Sequence, residues 1–323
     1  MSGLFFIGLS LPILDTILTA IIHSNTLKQE LNLLGFDQIG IVKAQRLNAE
    51  AFQLESWLNK GYHGQMSYME RYFDIRIDPD KFLPGAKSIV MMSLNYFSDI
   101  EPKTPKVSRY ALGEDYHKVI RKKTKAIVAY LKKEYGDIAI RGFVDSAPVM
   151  ERVWAEKGGL GWNGKNTLTI NPRKGSWFFL TGFMTDLMFD HYDDPIRDHC
   201  GTCRRCIDAC PTNAIHQEGY LLDASKCISY LTIELRNAIP KEFHNQMEGW
   251  VYGCDICQEV CPWNRFAQPS NVEEFNPNPD LLKLGTKDWL ELSDEVWGNL
   301  TSKSPIKRAG LEKLKENVKL ILE

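Results

Sequence analysis

Eight cysteines stand in two sets whose spacing suits redox-active metal. The first set is Cys200-Gly-Thr-Cys203-Arg-Arg-Cys206-Ile-Asp-Ala-Cys210-Pro211. This is the C-x2-C-x2-C-x3-C-P run of bacterial ferredoxins, in which three cysteines hold one iron–sulfur cluster and the fourth ligates another. The second set is Cys227 followed by Cys254-x2-Cys257-x3-Cys261-Pro262, with Cys227 available for the missing first place. Pairing crosswise predicts Cys200, Cys203, Cys206 and Cys261 around one 4Fe–4S cluster. It predicts Cys210, Cys227, Cys254 and Cys257 around the other, with no cysteine left over. Two four-cysteine zinc sites are the competing reading, because C-x2-C pairs also suit tetrahedral zinc. The doubled x3-C-P ending favours the clusters. Thiolates kept for metal need a reducing compartment, which predicts a cytoplasmic protein.

Other residues could use such electrons. Asp145 follows a predicted strand and precedes a predicted helix, a position where a carboxylate can act as an acid or, with Ser146, cap the helix. The turn Gly159-x4-Gly164-Lys165-Asn166 is one residue short of a phosphate-binding loop and lies between helix and strand in the wrong order, which excludes ATP binding. It can still offer backbone amides to a bulky cofactor. Asp115-Tyr-His117 begins like a cobalamin-ligating D-x-H motif, but Ile120 stands where its glycine belongs, so His117 reads as a surface or capping histidine. No G-x-G-x-x-G dinucleotide fingerprint follows a strand. A formal net charge of −2 excludes a chain basic throughout. Lysine and arginine nevertheless crowd residues 115–135 (Lys118, Arg121, Lys122, Lys123, Lys125) and the last predicted helix (Lys307, Arg308, Lys313), which leaves a phosphate backbone open as a partner.

The elements that must position these residues follow from periodicity and punctuation. Strands are predicted at 39–42, 88–94, 138–144, 167–170 and 177–184. The run Ser88-Ile-Val-Met-Met-Ser-Leu94 is apolar enough for a strand covered on both faces. Helices are predicted from a Thr26–Gln29 capping box to Gly35, at 48–60, 115–135, 147–156 and 305–322. The fold class expected is α+β/α/β. An apolar extension (1–25) precedes an α/β domain (26–194), a bacterial-ferredoxin-like two-cluster domain (195–270) and a short C-terminal helical segment (271–323) reached through a Pro-containing loop. The run Leu4 to Ile22 is almost long enough to cross a bilayer. Pro12 and Asp15 oppose a span, since a mid-span carboxylate costs about 2.5–3.5 kcal/mol, and no basic residue precedes the run as in a signal peptide. No membrane association is expected.

Several long motifs, in order, resemble the epoxyqueuosine reductase family: Ser108-Arg-Tyr-Ala-Leu-Gly-Glu-Asp-Tyr-His117, Phe143-Val-Asp-Ser-Ala-Pro-Val-Met-Glu-Arg152, Lys157-Gly-Gly-Leu-Gly-Trp-Asn-Gly-Lys-Asn166, Cys227-Ile-Ser-Tyr-Leu-Thr-Ile-Glu234 and Tyr252-Gly-Cys-Asp-Ile-Cys257. The resemblance covers about residues 27 to 320. It implies an oxidoreductase that makes queuosine from epoxyqueuosine at the wobble position of tRNA. The implied cofactors are two 4Fe–4S clusters and a base-off cobalamin, and the N-terminal domain is implied to bind the cobalamin. Asp145 matches the family's acid. Arg76, Ser108, Asp145, Gly164, Lys165 and Asp255 match its cobalamin contacts, and Thr232 and Glu234 its tRNA contacts. A ferredoxin or flavodoxin is implied as electron donor, and a monomer as the working state. Longer members carry a C-terminal helical-repeat region that this sequence lacks, and residues 1–25 are unlike the family's usual start.

Converting an epoxide to an alkene consumes two electrons and two protons and releases water. The expectation is that electrons cross both clusters to the cobalamin while Asp145 protonates the opening oxygen, which requires burial to raise its pKa from about 3.9. A corrinoid reductive dehalogenase and a non-catalytic ferredoxin-like electron-transfer protein are the rival readings.

Overall fold

The computed structural model describes residues 21–322, so the apolar run enters it only at its last two residues. Ile21 and Ile22 pair in parallel with Met188 and Phe189, and Ile22 is buried in the core. The N-terminal elements are α1 (Ser24–Leu33), β1 (Gln38–Lys43), α2 (Asn48–Asn59), β2 (Ser88–Asn95), α3 (Tyr116–Tyr135), β3 (Ile140–Phe143), α4 (Glu151–Lys157) and β4 (Phe178–Thr185). The four strands form one sheet in the order β1-β2-β4-β3.

Every pairing in that sheet is antiparallel. The alternation of strands and helices is present, but not the parallel sheet that it ordinarily implies. The α+β half of the expected class therefore describes this domain. Both faces of β2 are covered, as its unbroken apolar run requires. Val90, Met92 and Leu94 pack with Leu27 and Leu31 of α1 and Ile120 and Ile127 of α3. Ile89 and Met91 point the other way, onto Trp154 and Ala155 of α4. Successive strand side chains alternate faces, so one strand serves two cores.

Asp115 caps α3 by accepting the His117 amide, and Gly136, at φ 80°, ends the helix. Ser146 does not cap a helix, contrary to expectation. Asp145 lies in the left-handed region at φ 39° and Pro148 follows closely, so α4 begins only at Glu151. The Ser146 hydroxyl instead accepts from the Arg121 guanidinium at 2.8 Å.

The cysteine region contributes two short helical turns, Arg205–Asp208 and Ile256–Glu259, and α5 (Ile228–Ile233), which starts directly after Cys227. Residues 271–304 are more ordered than the loop expected. They form helices at Pro279–Leu282, Thr286–Glu291 and Asp294–Thr301, with Asn278 and Ser293 as side-chain caps for the first and third. A tight turn at Pro305–Arg308 and Gly310 separate these from α6 (Leu311–Leu320). Trp289, Trp297, Leu314 and Val318 bury this segment against Val251 and Tyr252. Among the described residues, no helix is long and apolar enough to cross a membrane.

A candidate redox active site

The cysteines gather in the crossed combination. Cys200, Cys203, Cys206 and Cys261 together line a cavity of about 210 Å³. Cys210, Cys227, Cys254 and Cys257 together line another of about 330 Å³. The charges that act on Cys206 are those of Cys200, Cys261 and Cys203, and those on Cys254 include Cys227 and Cys210. Asn166, buried and donating to the Cys257 carbonyl at 3.4 Å, borders both cavities. Burial pushes the Cys206 thiol up to about 11 and that of Cys257 well above the ordinary value. Loading metal here must therefore expel protons.

The second quartet opens into a larger cleft. Its cavity shares Tyr110, Leu222, Cys227 and Ser229 with a neighbouring space of about 620 Å³. It shares Tyr96, Arg152, Leu168 and Gln258 with a third of about 240 Å³. Tyr116 and Asp145 line both of these outer spaces. Asp145 is thus placed where the two outer spaces meet.

Asp145 is held at two points, one of them braced from behind. Its Oδ2 lies 2.8 Å from His117 Nε2, and His117 Nδ1 lies 2.8 Å from Asp115 Oδ1. Its amide donates to Glu151 Oε1 at 2.6 Å. Its left-handed backbone, which costs an L-residue roughly 1–2 kcal/mol, persists because these contacts over-determine it. Burial works to raise the Asp145 pKa, but the hydrogen bond and charge of His117 outweigh it, helped by the Tyr116 hydroxyl. The carboxyl therefore sits below its ordinary value, opposite to what an isolated buried acid would show. For His117, burial works downward, but the hydrogen bonds to Asp115 and Asp145 prevail and lift it to about 9. Glu151 goes the other way from Asp145, driven well up by burial and then by the Asp145 charge. Two carboxyls with opposed shifts beside a cationic histidine form an acid–base centre. His117 is neither a surface nor a mere capping residue. Asp115 two residues before it was the available signal, while its contact with Asp145 spans 28 residues.

The remaining expected residues divide. Ser108 lines the cleft, but its hydroxyl donates to Asp255, which also accepts the Arg109 amide at 2.9 Å and is lifted to about 6 by burial. Asp255 is fully buried and braces the wall from behind. Arg76 donates to the Tyr68 carbonyl at 2.8 Å, and its Nε is buried without a partner. Gly164 packs on Ile170, while Lys165 turns from the cleft to the first quartet and donates to the carbonyls of Gly201 (2.7 Å) and Cys203 (3.0 Å). Thr232 is 0% exposed, and its hydroxyl donates to the Ile228 carbonyl and accepts the Gly253 amide. It can prop the cleft wall but cannot meet a solvent-borne ligand, which corrects the expected tRNA contact. Glu234 does line the cleft, where it is paired with Arg308 at 2.7 Å. Sequence reasoning missed Arg152, which lines two of the three spaces, whereas Lys307 and Arg308, named in the last basic run, do reach the rim.

Comparison with known proteins shows the family and the cluster domain. Residues 199–264 match the 4Fe-4S double cluster binding domain, and residues 76–146 match the family model described as Epoxyqueuosine reductase QueG, DUF1730. The epoxyqueuosine reductase of Leadbetterella byssophila is 50% identical over 303 residues, 93% of this chain and 99% of that one. A crystal structure of epoxyqueuosine reductase with an epoxyqueuosine-modified tRNA-Tyr stem loop superposes with a TM-score of 0.83 at 32% identity, covering 92% of this chain and 81% of that chain. The Bacillus subtilis enzyme, seen with its catalytic aspartate loop swung out of the active site, matches with a TM-score of 0.83 at 31% identity over the same shares. The chain belongs to the epoxyqueuosine reductase family.

Proposed function

We propose that this protein reduces epoxyqueuosine to queuosine in tRNA, with Asp145 as the residue that hands a proton to the opening epoxide oxygen. The carrying observation is the position of Asp145, lining the space that adjoins a cysteine quartet and hydrogen-bonded to a histidine lifted to about 9.

The residues present suit a corrinoid in this cleft. Among the described residues the Arg152 guanidinium in it has the Thr167 carbonyl as its acceptor, Asn166, Ser108 and Gln258 add polar groups to a largely apolar lining, and Arg76 nearby keeps a buried donor free. Cobalamin and two 4Fe–4S clusters, when bound, would supply low-potential electrons. The chain's own residues supply the rest. Tyr110, Tyr116 and Tyr252 exclude water from one side. The stored proton sits on His117 Nε2 against the Asp145 carboxylate and moves through Asp145 to the opening oxygen, and Asp115 on Nδ1 keeps the ring oriented and charged. Lys118, Lys307 and Arg308 at the rim face the phosphates of an incoming anticodon loop.

Asp145→Asn tests this reading. Asparagine keeps the shape but cannot carry the proton. Product formed from an epoxyqueuosine tRNA stem loop under anaerobic conditions should fall roughly 10²–10⁴-fold. Iron content, corrinoid content and stem-loop affinity should be unchanged. Full turnover would remove Asp145 from the chemistry, and loss of corrinoid would make it a binding residue.

A further inference from the structure

We propose that the exposed face over the first cysteine quartet, built from Arg205 and Arg265 beside Trp263 and Phe266, docks a small acidic protein that carries one electron at a time. The inference rests on the redox reading above, in which electrons must reach the cleft from outside. The second quartet adjoins Asp145's cleft, whereas the first is separated from it by Asn166 and has its own opening. That opening is therefore where an external donor comes closest.

Its chemistry fits a protein surface. Phe266 is 38% exposed, with the Arg265 guanidinium 4.5 Å above its ring. Trp263 contacts Trp162 edge-on at 5.2 Å, and the Trp162 indole donates to Cys200 Sγ at 3.4 Å. An aromatic chain thus links the surface to a ligand sulfur. Exposed aromatics within a charged rim have the anatomy of a protein interface. Neighbouring carboxylates are engaged elsewhere: Asp208 with Arg204, and Asp198 with the Cys200 amide and the Tyr220 hydroxyl. Among the described residues, Arg205 and Arg265 pair with no carboxylate, so both charges are available to an acidic partner. RNA fits less well here. The cations that could guide it to Asp145 are Lys118, Lys307 and Arg308, which line a different cavity. In each encounter the carrier loses one electron and the protein gains one, with no atom transferred, and two encounters supply one turnover.

The test uses the metal-loaded protein under anaerobic conditions, without tRNA, so that its failure is separate from any failure of the epoxide chemistry. Bleaching of the cluster absorbance is followed after mixing with a reduced acidic ferredoxin, and calorimetry measures affinity for the oxidised ferredoxin. Arg205→Glu/Arg265→Glu should slow ferredoxin-driven bleaching about 10-fold or more at low salt and flatten its dependence on ionic strength. Affinity for oxidised ferredoxin should fall in parallel. Bleaching by reduced methyl viologen should not be slowed, and tRNA stem-loop affinity should not change. Arg205→Gln/Arg265→Gln should show the same pattern more weakly, and it carries the test if the reversed pair loads iron poorly. An unchanged ferredoxin rate overturns the proposal. So does equal slowing with methyl viologen, which would mean a damaged cluster, or a matching loss of stem-loop affinity, which would assign the face to RNA.

Discussion

His117 and Asp145 share a contact of 2.8 Å between Nε2 and Oδ2, and the imidazole is clasped from behind by Asp115. The ring is therefore lifted to about 9. A histidine raised above its free value stabilises the fold fully below the unfolded pKa of about 6.5, and this contribution fades as pH climbs through about 9. Turnover should follow the same window, level near neutrality and declining above about pH 9 as the stored proton leaves. His117→Gln should lower the plateau roughly 10-fold or more and abolish that alkaline limb. A pH–rate profile of both proteins decides it. An unaltered limb in the variant would assign the titration to another group.

Glu151 holds the Asp145 amide, and burial and then the neighbouring carboxylate drive its pKa well up. Gln keeps a side-chain oxygen that can accept the Asp145 amide, so Glu151→Gln should retain most activity. Glu151→Ala removes the acceptor of this amide, a net loss of roughly 0.5–1.5 kcal/mol, and frees a strained turn. Hydrogen exchange across residues 144–150 should accelerate in the alanine variant alone, with turnover down about 10-fold at unchanged stem-loop affinity. Equal behaviour of the two variants would deny Glu151 a latching role. The Bacillus subtilis relative, with its catalytic loop swung out, has a loop of this kind that can leave its site.

Cys261 follows Cys257 in sequence yet shares a cavity with Cys200, Cys203 and Cys206. Cys261→Ser should therefore perturb the cluster at the exposed face and spare the one adjoining the cleft. EPR of the reduced variant, compared with Cys254→Ser, separates the two. Loss of the same signal in both would refute the crossing.

How much of this was legible in the sequence depended on range. The cysteines were readable because x2 and x3 spacings act locally, and the crossing followed from a known ferredoxin rule. The burial of β2 was readable because both of its faces are apolar. Strand direction was not, because nothing within Ser88–Asn95 reports which way β4, beginning 83 residues later at Phe178, will run. The helix expected from Ser146 onward forms only from Glu151, because the left-handed Asp145 and Pro148 stop its first turn. The Asp115–His117–Asp145 relay and the Glu234–Arg308 pair are tertiary contacts with no local pattern to reveal them.

The basic runs need the same distinction. Lys118 and Lys307 line the cleft, whereas Lys123 donates to the Leu34 carbonyl and Lys122 and Lys125 are exposed further along α3. Lys118→Ala/Lys307→Ala should weaken stem-loop binding and reduce its salt slope by about 2, since each lost phosphate contact removes about one released counterion. Lys122→Ala/Lys125→Ala should change both much less. Filter binding across a salt series would show the reverse ranking if the helix face is what grips RNA.

Cys227 lines the cleft and also begins α5, whose end carries Glu234 to its place opposite Arg308. The quartet around it joins residue 210 to residues 254 and 257, closing into a loop the stretch that contains this wall. Air attacks exposed iron–sulfur sites, so damage that strips this quartet would slacken the wall as well as stop the current. Brief aeration should therefore lower stem-loop affinity in proportion to iron lost. Affinity that stays constant as iron departs would show the wall standing by itself. Oxygen, on this reading, makes the enzyme release its RNA instead of leaving a dead protein seated on it.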